Sequence, residues 1–287
     1  MIEVTKNILK SIYKPRPREA RKYDYGLLLV IGGSDFYSGS PALSAMAAWA
    51  SGVDMVRILA PKRAADIIAS FSPNLAALPL IGKYLDREDL ATILSQTKSA
   101  EIASHKKVAA VIGGGAGRSE ETQEVILEYL SQISIPVVID ADAIYAVAKK
   151  PEVITGKNFL ITPHLYEFYI LTGKKVDELS QEDRIRTVKE EAARLKTTIL
   201  LKGAIDIISD GKEVALNTTG CGFMTKGGMG DTLAGIAGAL MSRGINVFEA
   251  AQAAVYINGL AGELASKKLK ESVTATDLIK AIPDAIK

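Results

Sequence analysis

Apolar residues in this chain gather in short unbroken runs. Stretches rich in Val, Ile and Leu recur at 26–33 (GLLLVIGG), 54–60 (DMVRILA), 107–114 (KVAAVIGG), 135–140 (IPVVID), 158–163 (NFLITP) and 197–203 (TTILLKG). Runs that are apolar throughout fit strands buried on both faces. Between them lie helical patterns over 41–51, 119–131 and 181–196, the last opened by Ser180 with Asp183 three residues on, a weak capping box. Strand, helix and strand repeated this often predict a three-layer α/β fold, with a mostly parallel central sheet and helices on both faces. One stretch differs. Asp210-Gly211, between apolar runs inside 204–216, reads as a hairpin, so one antiparallel excursion is expected there. The chain then turns helical over 231–243 and 247–269, and no linker, repeat or low-complexity segment marks a second domain. The prediction is a single domain over 1–287, led in by an extended segment over about 1–24 that carries KPRPREARK.

Charge and composition narrow the partners. The 35 Lys plus Arg nearly balance the 33 Asp plus Glu, so no strong field favours nucleic acid or anionic lipid, and a small-molecule substrate is the better expectation. The single cysteine, Cys221, cannot form an internal disulfide or build a zinc site alone, which points to a reducing compartment. No basic-then-apolar leader opens the chain, and no apolar stretch reaches the ~18 residues of a membrane span. A cytoplasmic protein with no membrane partner is expected.

In an open parallel sheet, ligands bind beyond the carboxyl ends of the strands, so the residues just after each apolar run carry the chemistry. Four such ends are unusual: 32–40 (GGSDFYSGS), 113–118 (GGGAGR), 140–143 (DADA) with 162–168 (TPHLYEF), and 217–231 (NTTGCGF followed by MTKGGMGD). Glycine-rich turns feeding helices suit an anion, since free N–H groups and the helix dipole both favour negative charge. Taken singly, each loop is also read as a tight turn that needs small residues. The dinucleotide fingerprint fails at Arg118, and no Gly-x-x-x-x-Gly-Lys-Ser/Thr occurs.

The stretch Gly227-Gly228-Met229-Gly230-Asp231 says more. Asp231 could simply cap a helix. Yet the following helix has Leu233, Ile236, Ala237 and Leu240 on one stripe and small residues almost everywhere else, so it is buried in character. A carboxylate at its mouth, fronted by glycines, is placed to take a proton from a substrate hydroxyl while backbone amides at Gly227, Gly228 and Gly230 hold a phosphoryl group. His164 follows a strand and Pro163, with Glu167 three residues later, and is read as either structural or functional. Asp140 and Asp142, at a strand end, are candidates to hold Mg²⁺ through water. His105, within SHKK, reads as solvated surface.

Four segments together resemble the ADP/ATP-dependent NAD(P)H-hydrate dehydratases of the ribokinase-like superfamily: LLLVIGGSDFYSGSPALSAMAAWASGVDMVRI, VIDADAI, ITPHLYEF and NTTGCGFMTKGGMGDTLAGIAGAL. The Gly-Gly-x-Gly-Asp element is shared with related kinases; the Pro-His-x-x-Glu-Phe element and the early Gly-Gly-Ser with Tyr37 and Gly39 narrow the likeness to the dehydratases. The resemblance implies a ribokinase-like fold and repair of the S epimer of hydrated NADH or NADPH. ADP or ATP phosphorylates the ring hydroxyl, phosphate is eliminated, and AMP or ADP is released. It makes Asp231 the base and Gly230 a nucleotide contact, and aligns Lys202, Gly203, Ala204, Ile205 and Asp206 with the segment beside the adenine nucleotide. Ser40, Gly115, Gly117 and His164 fall where the family contacts the hydrated cofactor. Asn217 and Glu167 match positions associated with Mg²⁺ and phosphates, contacts that can run through water. It implies a homo-oligomer, a tetramer included, and the epimerase domain fused ahead of this module in many relatives is not expected here.

The chain departs from the family at Ser40, usually Ala, at GGGAG in place of Gly-Pro-Gly-Leu-Gly, and at Lys226 and Met229, usually small or hydroxyl residues. Lys226 is read either as a compensating charge for the hydroxyl missing at 229 or as a lysine that points to solvent. Two other readings stay open: a ribokinase-type kinase of a small alcohol such as a hydroxyethylthiazole or a sugar, and an idle nucleotide-binding regulator.

Overall fold

The computed structural model describes residues 1–287. The chain forms β1 (Ile2–Glu3), α1 (Asn7–Ile12), β2 (Leu27–Ile31), α2 (Gly39–Ala50), β3 (Met55–Pro61), α3 (Lys62–Phe71), β4 (Ala76–Leu80), α4 (Leu90–Ala103), β5 (Val108–Ile112), α5 (Glu120–Gln132), β6 (Val137–Ile139) and α6 (Asp142–Lys149). It continues through β7 (Phe159–Ile161), α7 (Leu165–Thr172), α8 (Gln181–Leu195), β8 (Thr198–Leu201), β9 (Asp206–Ser209), β10 (Val214–Asn217), α9 (Met229–Ser242), α10 (Val247–Leu269) and α11 (Ala275–Ile286).

The strands make one sheet in the order β1-β10-β9-β8-β7-β6-β5-β2-β3-β4. Every pairing is parallel except those of β9, which runs antiparallel to both β8 and β10. The expected hairpin is therefore present. Its turn contains Asp210, whose carboxylate accepts from the N–H groups of Lys212 and Glu213, and Gly211 at φ +89°. No helix is long and apolar enough to cross a membrane.

The unbroken apolar runs are explained by burial on both faces. On β2, Leu28 and Val30 enter the core beneath α2, α9 and α10, whereas Leu27, Leu29 and Ile31 enter the core beneath α4 to α8. The small residues of α9 have a separate purpose. A Cβ on Gly235 would come within 2.1 Å of the Ser44 carbonyl oxygen of α2, and one on Gly238 within 2.6 Å of Val111 on β5. Only glycine lets α9 lie this close to both neighbours, and this fixes where the helix begins.

The lead-in over 1–24 is more ordered than expected: β1 pairs in parallel with β10, and α1 buries Leu9 and Ile12. The chain runs outward through β2, β3 and β4, then returns to place β5 on the other side of β2. That reversal opens a crevice beyond the carboxyl ends of β2 and β5, the expected place for a ligand.

Candidate active site

At the crevice, the loops after β2 and β5 touch through their backbones. Gly33 donates its N–H to the Gly114 carbonyl at 2.8 Å, and a Cβ on Gly32 would sit 2.5 Å from that same oxygen. Gly114 also separates Ser40 from Asp231: its missing Cβ would lie 2.9 Å from the Ser40 Cβ and 3.1 Å from Asp231 Oδ1. Asp231 is the third residue of α9, which begins at Met229 after Gly228 at φ +93°. No side chain caps this helix; Met229 N–H turns back to the Lys226 carbonyl at 3.4 Å, and the N–H groups of Gly230 and Asp231 are left to a ligand or to solvent. Asp231 is thus not the cap. Burial, reinforced by the neighbouring Asp140 charge, pushes its carboxyl up to about 7, against the opposing pull of the Ser40 hydroxyl and Lys202.

Lys202, at the end of β8, points its ammonium into the same place. Nζ lies 3.0 Å from Asp140 Oδ1 and 3.8 Å from Glu167 Oε2, and a Cβ on Gly230 would come within 3.5 Å of it. Burial opposes its charge, but Asp140 and Glu167 outweigh that, so the ammonium is held above its ordinary value. Asp140 also accepts from Thr162 Oγ1 at 2.7 Å. Between the two aspartates, Ala141 sits at φ +49° and ψ −123°, a conformation a non-glycine residue adopts only when its surroundings enforce it. The resulting turn sends Asp142 the other way, where it accepts from Gly117 N–H at 2.9 Å and Arg118 Nε at 2.6 Å. Asp140 and Asp142 thus turn to different partners, Lys202 and the glycine loop, rather than forming one carboxylate pair.

His164 caps α7. Its Nδ1 accepts from the N–H groups of Tyr166 and Glu167 at 3.2 and 3.3 Å, and Glu167 Oε2 accepts from His164 N–H at 2.9 Å. Nδ1 is thus an acceptor, which places any ring proton of the neutral imidazole on Nε2, on a side chain that is 53% exposed. Lys202 N–H donates to the Pro163 carbonyl at 2.8 Å, so the His164 loop and the segment 202–206 are neighbours.

Gly203, Ala204 and Ile205 form the turn into β9, with Gly203 and Ala204 exposed. Asp206 ties this turn down, accepting from Gly203 N–H at 3.1 Å and from Asn217 Nδ2 at 3.0 Å. Burial lifts its carboxyl to about 6. Glu167 and Asn217 thus belong to different networks, and no group of three His, Cys, Asp or Glu side chains is arranged to hold a metal ion.

Gly115 and Gly117, at φ +66° and +84°, lie against the rings of Tyr37 and Tyr84, where a Cβ would come within 2.8 and 2.9 Å. Tyr84 is an addition to the sequence reading, as is Arg118, which lies 3.7 Å from the centre of the Tyr145 ring. Arg118 was legible only as the residue that broke a fingerprint. Its position directly after the glycine loop is the signal that it borders the crevice.

In the anion loop the structure favours the outward reading of Lys226 over the compensating one. The Lys226 ammonium donates to the Glu271 carbonyl, and Met229 is buried in the apolar core. Neither side chain faces the Asp231 crevice, so Lys226 does not compensate for a hydroxyl at 229.

A model of the NAD(P)H-hydrate dehydratase family matches residues 28–284. A bifunctional NAD(P)H-hydrate repair enzyme of Hyperthermus butylicus is 40% identical over 96% of this chain and 51% of its own. This chain therefore spans about half the length of that relative. An ADP-dependent (S)-NAD(P)H-hydrate dehydratase of Nitrosopumilus maritimus is 35% identical over 99% of this chain and 96% of its own. Among solved structures, an ADP/ATP-dependent NAD(P)H-hydrate dehydratase of Bacillus subtilis, co-crystallised with ATP and Mg²⁺, superposes with a TM-score of 0.79 at 25% identity, covering 99% of this chain and 97% of that one. A ribokinase-like protein of Enterococcus faecalis superposes with a TM-score of 0.85 at 24% identity and shares the fold.

Proposed function

Because the chain belongs to the NAD(P)H-hydrate dehydratase family, we propose that it restores NADH or NADPH from the S epimer of the hydrated cofactor, using ADP or ATP. The observation that carries this reading is the Asp231 carboxyl. It is recessed, lifted to about 7, and set at an uncapped helix start beside a glycine loop.

Asp231 takes the proton of the ring hydroxyl, and the freed oxygen attacks the terminal phosphorus of the nucleotide. The bond from phosphorus to its bridging oxygen breaks, releasing AMP from ADP or ADP from ATP. The ring carbon–oxygen bond then breaks with phosphate as leaving group, while a proton leaves the neighbouring carbon and the ring double bond returns. N–H groups at Gly228 and Gly230 face the transferring phosphoryl group, with Gly227 allowing close approach. Lys202 keeps its charge beside them and orients Asp140 and Glu167. Ser40, Gly115, Gly117 and His164 contact the hydrated cofactor, with Tyr37 and Tyr84 as its aromatic wall. Gly203, Ala204, Ile205 and Asp206 border the adenine nucleotide.

The protein supplies no cage for a resident ion, so magnesium belongs to this reading as part of the nucleotide substrate, neutralising phosphate charge. Glu167 and Asn217 are its proposed contacts, through water. The family likeness also supports a cytoplasmic homo-oligomer.

The kinase reading differs in its products. With hydrated NADH, Mg²⁺ and ADP, the dehydratase yields equal amounts of AMP, inorganic phosphate and NADH. A phosphorylated alcohol that accumulates without inorganic phosphate would identify a kinase instead.

A further inference from the structure

Two adjoining cavities, of about 260 and 390 Å³, lie at the end of the strands opposite the crevice and share Lys14, Tyr25 and Arg243 as lining residues. They sit beneath the amino ends of the strands: Tyr25 shortly precedes β2, Gly52 precedes β3, and Lys107 directly precedes β5. Arg243 follows the last residue of α9. The helix that carries Asp231 at one end therefore delivers Arg243 to the other, ~18 Å away at the rise of an α-helix.

The lining is cationic and incompletely neutralised. Lys14, Arg16, Lys107 and Arg243 face Asp24 from the lining and Asp54 beside it. Asp54 is already committed, accepting from Arg16 Nη1 at 2.7 Å and from Tyr25 N–H at 2.9 Å. One Asp24 oxygen accepts from Arg21 N–H at 2.7 Å, and Lys107 Nζ reaches only the Asp24 carbonyl, at 2.8 Å. Lys14, Lys107 and Arg243 form no ion pair. Arg243 donates from Nη2 to the Ile12 carbonyl at 2.8 Å, but its Nη1 is buried with no hydrogen-bond partner. A buried, unpaired donor on a charged group is costly, and such groups in folded proteins call for a partner. The guanidinium is held in place by rings, 4.8 Å from the centre of Tyr13 and 5.5 Å from that of Tyr25. Burial draws it below its ordinary value and the Arg16 charge adds to that, while Tyr13, also through a side-chain hydrogen bond, and Tyr25 oppose the shift.

We propose that these joined cavities form a second anion site that takes a small phosphorylated compound, with Arg243 as the central donor and Lys14 and Lys107 at the rim. A guanidinium with one nitrogen unpartnered, flanked by two ammonium groups, matches the multiple charge of a phosphate or diphosphate that uncovers Nη1 on entering. Nothing in the proposed dehydratase reaction uses this face, so the site is independent of the catalytic crevice.

Pyrophosphate titrated calorimetrically into the full chain at constant ionic strength tests it. The parent should show a saturable event that weakens at least about fivefold in Lys14→Ala and in Lys107→Ala, and disappears in Arg243→Gln. Both lysines are exposed, so their variants keep the test sound if Arg243→Gln melts early. Anomalous diffraction from tungstate-soaked crystals should place an anion between Arg243, Lys14 and Lys107. Pyrophosphate binding untouched by either lysine substitution, or tungstate found only at the start of α9, would overturn the proposal.

Discussion

At Asp231 the same burial that makes a useful base also makes a pH-dependent liability. A base with a value of about 7 must lose its proton to act, so kcat/KM should fall about tenfold per pH unit below that value and level off above it. Asp231→Asn should lower turnover by about 10²–10⁴-fold, the range of general-base catalysis. Stability should move the opposite way. The folded value lies above the unfolded one, so the folded state binds the extra proton, and this contribution to stability is lost as pH rises from 3.8 towards about 7. Asp231→Asn should therefore melt above the parent at about pH 8 and lose that advantage by about pH 4, as followed by thermal unfolding. Gly114→Ala should lower the melting temperature and suppress turnover together, because its Cβ would press on the Ser40 Cβ at 2.9 Å and on Asp231 Oδ1 at 3.1 Å. Asp231 and its glycines were legible because they are adjacent in the chain. The Lys202–Asp140 pair was not, because it joins residues sixty-two positions apart across β6, β7 and β8.

At the scale of elements, the strands legible in the sequence were those with both faces buried. The strands that escaped are β1 and β4, at the two edges of the sheet: β1 is two exposed residues, and β4 carries Pro79 with an exposed Ala76. An edge strand has no reason to be apolar throughout. Helices α6 and α7, eight residues each, were too short to show a period. The capping box at Ser180 proved half formed, since Ser180 Oγ accepts from Asp183 N–H but Asp183 returns to the Ser180 hydroxyl rather than to its backbone. For α7, His164→Ala should destabilise by about 1 kcal/mol through loss of the cap, and His164→Asn should restore it. The two variants also separate roles: if the KM for hydrated NADH recovers in His164→Asn along with stability, the imidazole only positions its loop. Because Lys202 is bonded to Pro163, His164→Ala is expected to raise the KM for nucleotide as well as for hydrated cofactor. In the hairpin, Gly211→Ala should cost more than about 1 kcal/mol by chemical denaturation, since a Cβ there meets Ala193 of α8 at 2.6 Å and φ is +89°.

Across the whole molecule, one reversal of strand order brings the loops after β2 and β5, the Asp140 turn and the start of α9 to a single crevice, with Arg243 held at the far end of the same helix. The fold class was legible because the alternation of apolar runs and helical periods is local. The commitment of Lys226 to Glu271 was not, because it depends on how α10 ends against the anion loop. The central claim is that the recessed Asp231 drives a nucleotide-dependent dehydration. It is tested most directly by following recovery of the reduced-nicotinamide absorbance when hydrated NADH, Mg²⁺ and ADP are added to the parent and to folded Asp231→Asn. Recovery should require nucleotide in the parent and be at least about a hundredfold slower in the variant. Recovery at matching rates in both proteins, or none in a folded parent with either ADP or ATP, would contradict it.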